Sequence, residues 1–311
     1  MASGKRPWEG SGRRSVALRT SGDWDKNGNR RNPHETGILE FLYGSQWGRI
    51  LLRPLISPWV SKAGGRLLDS SLSRAAVAPF IRRHGVDLRD YEKKVYRSFN
   101  DFFTRQIRRG KRPVCGGPRD LISPCDGKIS VYPIGKRMHF KVKHTWYSVG
   151  TLLRNPRLAA RYADGVCVVI RLSVEDYHRY CYVDSGHKGE NHVIPGKFHT
   201  VRPISGDYVP VYKENTRVYT TLYTEHFGPV IQMEVGALLV GRIRNYHGEC
   251  DVKKGQEKGR FEFGGSTVIL LLQKDRVCLD PILLENTLDG LETPVKMGQV
   301  LGSAKFHLYK K

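Results

Sequence analysis

The residues best suited to chemistry lie in the stretch Phe261–Gln273, FEFGGSTVILLLQ. Ser266 follows directly on Gly264 and Gly265, and paired glycines allow backbone geometry that a Cβ would forbid. A serine after such a corner can aim its hydroxyl back at the preceding carbonyl. Its oxygen can attack the Gly265 carbonyl and shift the acyl group from nitrogen to oxygen. Loss of the α-proton then expels the ester and leaves dehydroalanine, which hydrolyses to a pyruvoyl group. These steps need an activated hydroxyl and a nearby base. Taken alone, Gly-Gly-Ser-Thr is better read as turn chemistry, a hairpin or bulge with a solvent-facing serine.

The elements that must position this serine are strands. Phe261 and Phe263 alternate around Glu262, and Val268–Leu272 is a continuous apolar run too short for a helix. The pattern predicts a strand, a tight two-glycine corner and a second strand. Further strands are expected at Val166–Leu172, Val201–Ile204, Tyr219–Tyr223, Val230–Val235 and Leu238–Ile243. Asp126 sits in a turn-rich stretch, SPCDGKI, and DYHRYCYVDSG places His178 and Cys181 three residues apart. The late segment ETPVKMGQVLG lacks the Met-Lys turn of a lipoyl-type domain, because Lys296 precedes Met297, and reads as more β core.

The expected fold class is α+β: a mainly antiparallel β core with an N-terminal set of amphipathic helices. Residues 1–35, rich in Gly, Ser, Arg and Asn, read as a disordered basic tail. Residues 36–113 read as an amphipathic helical region suited to a membrane interface, with Arg49, Arg53, Lys62, Arg66, Arg74, Arg82 and Arg83 among its apolar residues. Within it, Asn100-Asp101 is a candidate cap for a short helix. Residues 114–311 read as the β-rich catalytic core.

With 311 residues, a sizeable core is within reach, and a formal charge of +22 points to a polyanionic partner. No zinc-finger or RNA-binding signature accompanies the charge, which favours an anionic membrane over nucleic acid. The six cysteines show neither C-x-x-C nor zinc spacing, so reduced thiols and no metal are expected. No apolar run approaches the ~20 residues of a membrane span, and no signal peptide is evident.

Seven stretches occur in the order SFNDFFTRQIRRGKRPV, SPCDGKI, WYSVGTLL, DYHRY, GALLVGRI, KGQEKGRFEFGGSTVILL and ETPVKMGQVLG. Together they resemble the phosphatidylserine decarboxylase family over residues 36–311, with GGST resembling one bacterial branch. The resemblance implies self-cleavage between Gly265 and Ser266, so that Ser266 becomes a covalent pyruvoyl cofactor at the head of the α chain and Gly265 ends the β chain. It implies that Asp126 is the triad aspartate and that His178 is the first histidine of an H-x-x-H pair, implicated in decarboxylation. The second histidine, which completes the family's self-cleavage triad, is replaced here by Cys181, a poor general base. His178 serving both steps, His192 or His199 moving in, a Cys181 thiolate, or lost processing are the alternatives. The implied reaction converts phosphatidylserine to phosphatidylethanolamine and CO₂, with no metal. The implied enzyme is peripheral on the cytoplasmic face of a bacterial membrane. Its partners would be anionic phospholipid and the α and β chains of one precursor, with a homodimer open and nucleic acid excluded. A non-processing lipid-binding relative and a pyruvoyl decarboxylase of another amine are the competing readings.

Overall fold

The computed structural model describes residues 37, 41–92, 94–142, 145–200, 209–237, 242–264 and 266–305. The expected tail, the strand expected at Val201–Ile204, Leu238–Val240 and Gly265 lie outside them.

The central strand is Ser266–Leu272, and all seven of its residues are buried. It pairs antiparallel with Gly228–Val235 on one side and Val166–Leu172 on the other. Alternation sends Val268, Leu270 and Leu272 into one core, and Ile269 and Leu271 into another. A strand covered on both faces must be apolar at every position, which is why it reads as an unbroken run. Each fully buried leucine contributes roughly 1.5–3 kcal/mol.

This strand lies inside a nine-stranded antiparallel sheet among the described residues. One face is covered by a small sheet of Arg242–Asn245, Glu257–Glu262 and Arg179–Cys181, which contributes Tyr180 and Phe261 to the core. The other is covered by the short helices Val149–Leu153 and Pro156–Ala160, with Phe140 and Tyr147 from the hairpin beside them. The α+β class with an antiparallel core is as expected.

The corner differs from the simplest expectation. Glu257–Glu262 and Ser266–Leu272 belong to different sheets, so the glycines carry the chain between layers instead of closing a hairpin. Gly264 has φ 122°, which excludes other residues without strain. Glu262 is buried rather than outward-facing, and it meets Arg244 at 2.9 Å and Arg260 at 3.1 Å. Phe263 lies beyond the strand. Its ring stands edge-on to Phe99 and Phe103, and its N–H donates to Asn100 Oδ1 at 3.2 Å.

Helices gather toward the N-terminus. Gln46–Leu55 and Pro58–Asp69 are capped by Ser45 and Ser57. Leu52 and Ile56 pack inward with Tyr43, while Trp47, Ile50, Leu51, Leu67 and Leu72 are exposed. In the helix Phe99–Phe103 the cap is Ser98, whose Oγ accepts from Asp101 N at 3.1 Å; Asn100 and Asp101 lie inside the helix instead. Phe99, Phe102 and Phe103 share one buried face through i, i+3 and i+4 spacing. No helix among the described residues is long and apolar enough to cross a membrane.

Candidate active site

The sheet register builds the site. Ser266 opens its strand opposite Leu172, the last residue of Val166–Leu172. The chain then turns through Ser173–Asp176, closed by Asp176 N donating to the Ser173 carbonyl at 3.0 Å and Ser173 N donating to Asp176 Oδ2 at 2.8 Å. That turn returns His178 to Ser266. The serine Oγ lies 3.3 Å from His178 Nδ1, and both residues are fully buried.

The second ring nitrogen, Nε2, lies 3.0 Å from the Ser173 carbonyl oxygen. A carbonyl only accepts, so Nε2 carries the hydrogen and Nδ1 is left with its lone pair toward the serine hydroxyl. The imidazole stacks on Phe103, with ring centroids 4.0 Å apart and planes 29° apart. Burial, and then the nearby Arg105 cation, lower the His178 pKa to about 3. The ring is therefore a neutral base at physiological pH.

Asp126 takes a different position from that of a relay carboxylate. Arg112 clamps it through Nε at 2.9 Å and Nη2 at 2.7 Å, Lys296 Nζ adds a contact at 3.2 Å, and Met297 N donates at 2.8 Å. Both His178 ring nitrogens are already engaged by other groups. The structure thus brings Ser266 and His178 together and places Asp126 in a neighbouring ionic cluster.

The candidate substitutes for the second histidine are engaged elsewhere. Burial pushes the Cys181 thiol up to about 12, far from a thiolate at neutral pH. Its backbone is tied to the Pro124 carbonyl and to Gln232 Nε2. His192 stacks on Tyr219, and His199 lies between Tyr43 and Glu214. Sequence reasoning missed Phe103, Arg105 and the Ser173 carbonyl. Phe103 and Arg105 are present in the quoted SFNDFFTRQ motif, but a backbone acceptor has no side-chain signature. No group of three or more metal-ligating side chains occurs among the described residues.

A buried serine after a glycine corner, held against a neutral imidazole, is the arrangement of an activated nucleophile on an antiparallel core. The family model described as phosphatidylserine decarboxylase matches residues 99–303. The chain is 45% identical over 270 residues to phosphatidylserine decarboxylase proenzyme 2 of Clostridium acetobutylicum, covering 86% of this chain and 92% of that one. It is 37% identical over 271 residues to the phosphatidylserine decarboxylase proenzyme of Clostridium novyi, covering 85% and 92%. The corresponding proenzyme of Clostridium tetani is 36% identical over 270 residues. This chain belongs to the phosphatidylserine decarboxylase family, as its ordered motifs imply.

Proposed function

We propose that this chain is made as a precursor, cuts itself between Gly265 and Ser266, and then decarboxylates phosphatidylserine to phosphatidylethanolamine. The observation that carries the reading is the 3.3 Å approach of Ser266 Oγ to Nδ1 of a buried, neutral His178.

In the first step His178 Nδ1 takes the hydroxyl proton as Ser266 Oγ bonds to the Gly265 carbonyl carbon. The Gly265–Ser266 C–N bond breaks, and the proton passes to the departing nitrogen, giving an ester. Removal of the Ser266 α-proton then forms the Cα=Cβ bond as the Cβ–Oγ bond breaks, leaving a Gly265 carboxylate and dehydroalanine. Water converts the dehydroalanine to the pyruvoyl group with release of ammonia. The site fits that product: Ser266 is buried and begins a fixed strand, and Gly264 supplies the backbone freedom before it. The pyruvoyl group would supply a carbonyl that withdraws electrons as the substrate loses CO₂. Once its Nδ1 has taken a proton from the incoming substrate ammonium, His178, stacked under the Phe103 ring, is the group able to return that proton to the carbon that lost CO₂.

The apolar residues Trp47, Ile50, Leu51, Leu67 and Leu72 lie exposed on helices that also carry exposed Arg53, Arg66 and Arg74. This supports residues 36–113 as the membrane-associating region of a peripheral protein, which we place on the cytoplasmic membrane face. Each basic residue near an anionic surface adds ~1 kcal/mol.

The decisive measurement is intact mass under denaturing conditions. Pieces spanning 1–265 and 266–311, the second beginning with a pyruvoyl mass, are expected; Ser266→Ala should leave one chain. CO₂ release from phosphatidylserine vesicles but not free serine would fix the substrate class. A single chain stable for days, indistinguishable from Ser266→Ala, would leave only a lipid-binding relative.

A further inference from the structure

Arg105 is the anomaly beside the site. It is 1% exposed, yet its Nε and Nη1 have no hydrogen-bond partner in the structure. Its guanidinium carbon lies 4.3 Å from the Tyr91 ring centroid and 5.1 Å from that of Phe102. Nη2 alone is well used: it donates to the carbonyls of Glu175 at 2.8 Å and Asp176 at 3.1 Å, with Tyr91 Oη at 3.3 Å. A buried cation held mainly by rings and carbonyls is an expensive way to fill space, because desolvating the charge outweighs what packing returns.

The two carbonyls belong to the turn that presents His178. Within it the Ser173 carbonyl fixes the imidazole through Nε2, and the Asp176–Ser173 bonds hold that carbonyl in place. Beyond the turn, Arg179 Nε and Nη2 donate to the Thr104 carbonyl at 3.0 and 2.8 Å, one residue before Arg105. The end of the aromatic helix is thus pinned to the chain on both sides of His178. We propose that Arg105 is a positioning residue: it pins the turn of residues 173–177 so that the Ser173 carbonyl holds His178 in the tautomer able to take the Ser266 proton. The proposal rests on the reading of His178 as the base for Ser266.

The charge of Arg105 keeps the resting ring neutral, which preserves the Nδ1 lone pair but weakens the ring as a base. What Arg105 gives the reaction is therefore the orientation of the imidazole. The other charged groups around the turn are Glu175 and Asp176 on the turn itself, Arg171, whose Nη1 donates to Ser173 Oγ at 3.2 Å, and Lys128, Lys296 and Asp126, which act on Asp176. Arg112 is ion-paired to Asp126.

The test uses the full chain carrying Ser266→Ala, with ¹⁵N-labelled histidine, so that no self-cleavage is needed for the readout. In this parent, the His178 nitrogen shifts should report a single Nε2–H tautomer that stays neutral to at least pH 5. Adding Arg105→Met should give mixed tautomers and an upward-shifted titration. Arg105→Lys should restore the titration but only part of the tautomer bias, since one ammonium cannot reproduce the planar fork. In the chain with Ser266 intact, Arg105→Met should slow cleavage roughly 10- to 100-fold, the cost typical of losing a group that orients an imidazole. Arg105→Gln replaces Arg105→Met if the latter does not fold, with the same two readouts. An unchanged tautomer and titration in a folded uncharged variant would overturn the role of Arg105. Cleavage of His178→Ala at the parent rate would instead overturn the function reading, so the two failures are distinguishable.

Discussion

At the residue scale, His178 and Asp176 titrate in opposite senses within one turn. His178 has a folded pKa of about 3 against an ordinary 6.5, so between these values the unfolded chain binds the extra proton. Its contribution to stability is full above the unfolded value and is lost as pH falls toward 3, at about 1.4 kcal/mol per pH unit. Burial raises Asp176 from 3.8 to about 6, so its contribution is full below 3.8 and is lost as pH rises through 6. Between those limits the two proton uptakes cancel. Replacing Asp176 by Asn in the Ser266→Ala precursor removes one of them. Chemical denaturation should show the variant gaining on its parent as pH rises from 4 to 7, by about 1–3 kcal/mol in total. Identical pH profiles would refute a buried, titrating Asp176. For Cys181, a thiol held near 12 has no part in proton transfer. Cys181→Ala should therefore cut itself within about threefold of the parent rate at every pH, well short of the 10²–10⁴-fold effect of removing a general base. His178→Ala should show that larger loss.

At the element scale, the corner matters because it joins two sheets. Gly264 at φ 122° lets the chain leave the small sheet and enter the central strand at Ser266. Gly264→Ala should cost roughly 1–3 kcal/mol of stability and slow self-cleavage, read by thermal unfolding and by the mass time course. The corner is also tethered to the aromatic helix through Phe263 N and Asn100 Oδ1. The sequence signals for the two strands were strong, since five consecutive apolar residues after a glycine pair can hardly be anything else. Their failure to pair was not legible, because pairing partners are chosen by the whole sheet rather than by neighbours in sequence. Likewise, Asn100-Asp101 offered a reasonable cap, but Ser98 held the position because its extended backbone precedes the first helical turn.

At the scale of the whole molecule, the proposed cut would fall at the edge of the most buried strand. Ser266–Leu272 would then belong to the short piece while both its neighbours, Gly228–Val235 and Val166–Leu172, stay with the long one. Asp126 adds contacts across the same divide, to Lys296 Nζ and Met297 N. Native mass spectrometry of processed protein should give one complex containing both pieces, and denaturing conditions should separate them. Elution of separate pieces without denaturant would contradict this. The charge of +22 predicts binding to anionic vesicles that weakens as salt rises toward 1 M. Leu51→Ser and Trp47→Ser should weaken vesicle binding further at high salt, where the apolar face carries more of the affinity, as read by co-sedimentation.

By itself the sequence determined the family and the antiparallel class, and it singled out Ser266, His178 and Asp126 as candidates. Ordered motifs and apolar runs are properties of the chain written in one dimension. Only the tertiary structure decided what surrounds those residues. Sheet register places Leu172 beside Ser266 and lets a short turn return His178 to it. A backbone carbonyl orients the imidazole, and Arg112 holds Asp126 in its own ionic cluster. Burial supplies the physical reason for the site's charge state: the same imidazole exposed on the surface would titrate near neutrality, and the same Cys181 thiol would ionise more readily.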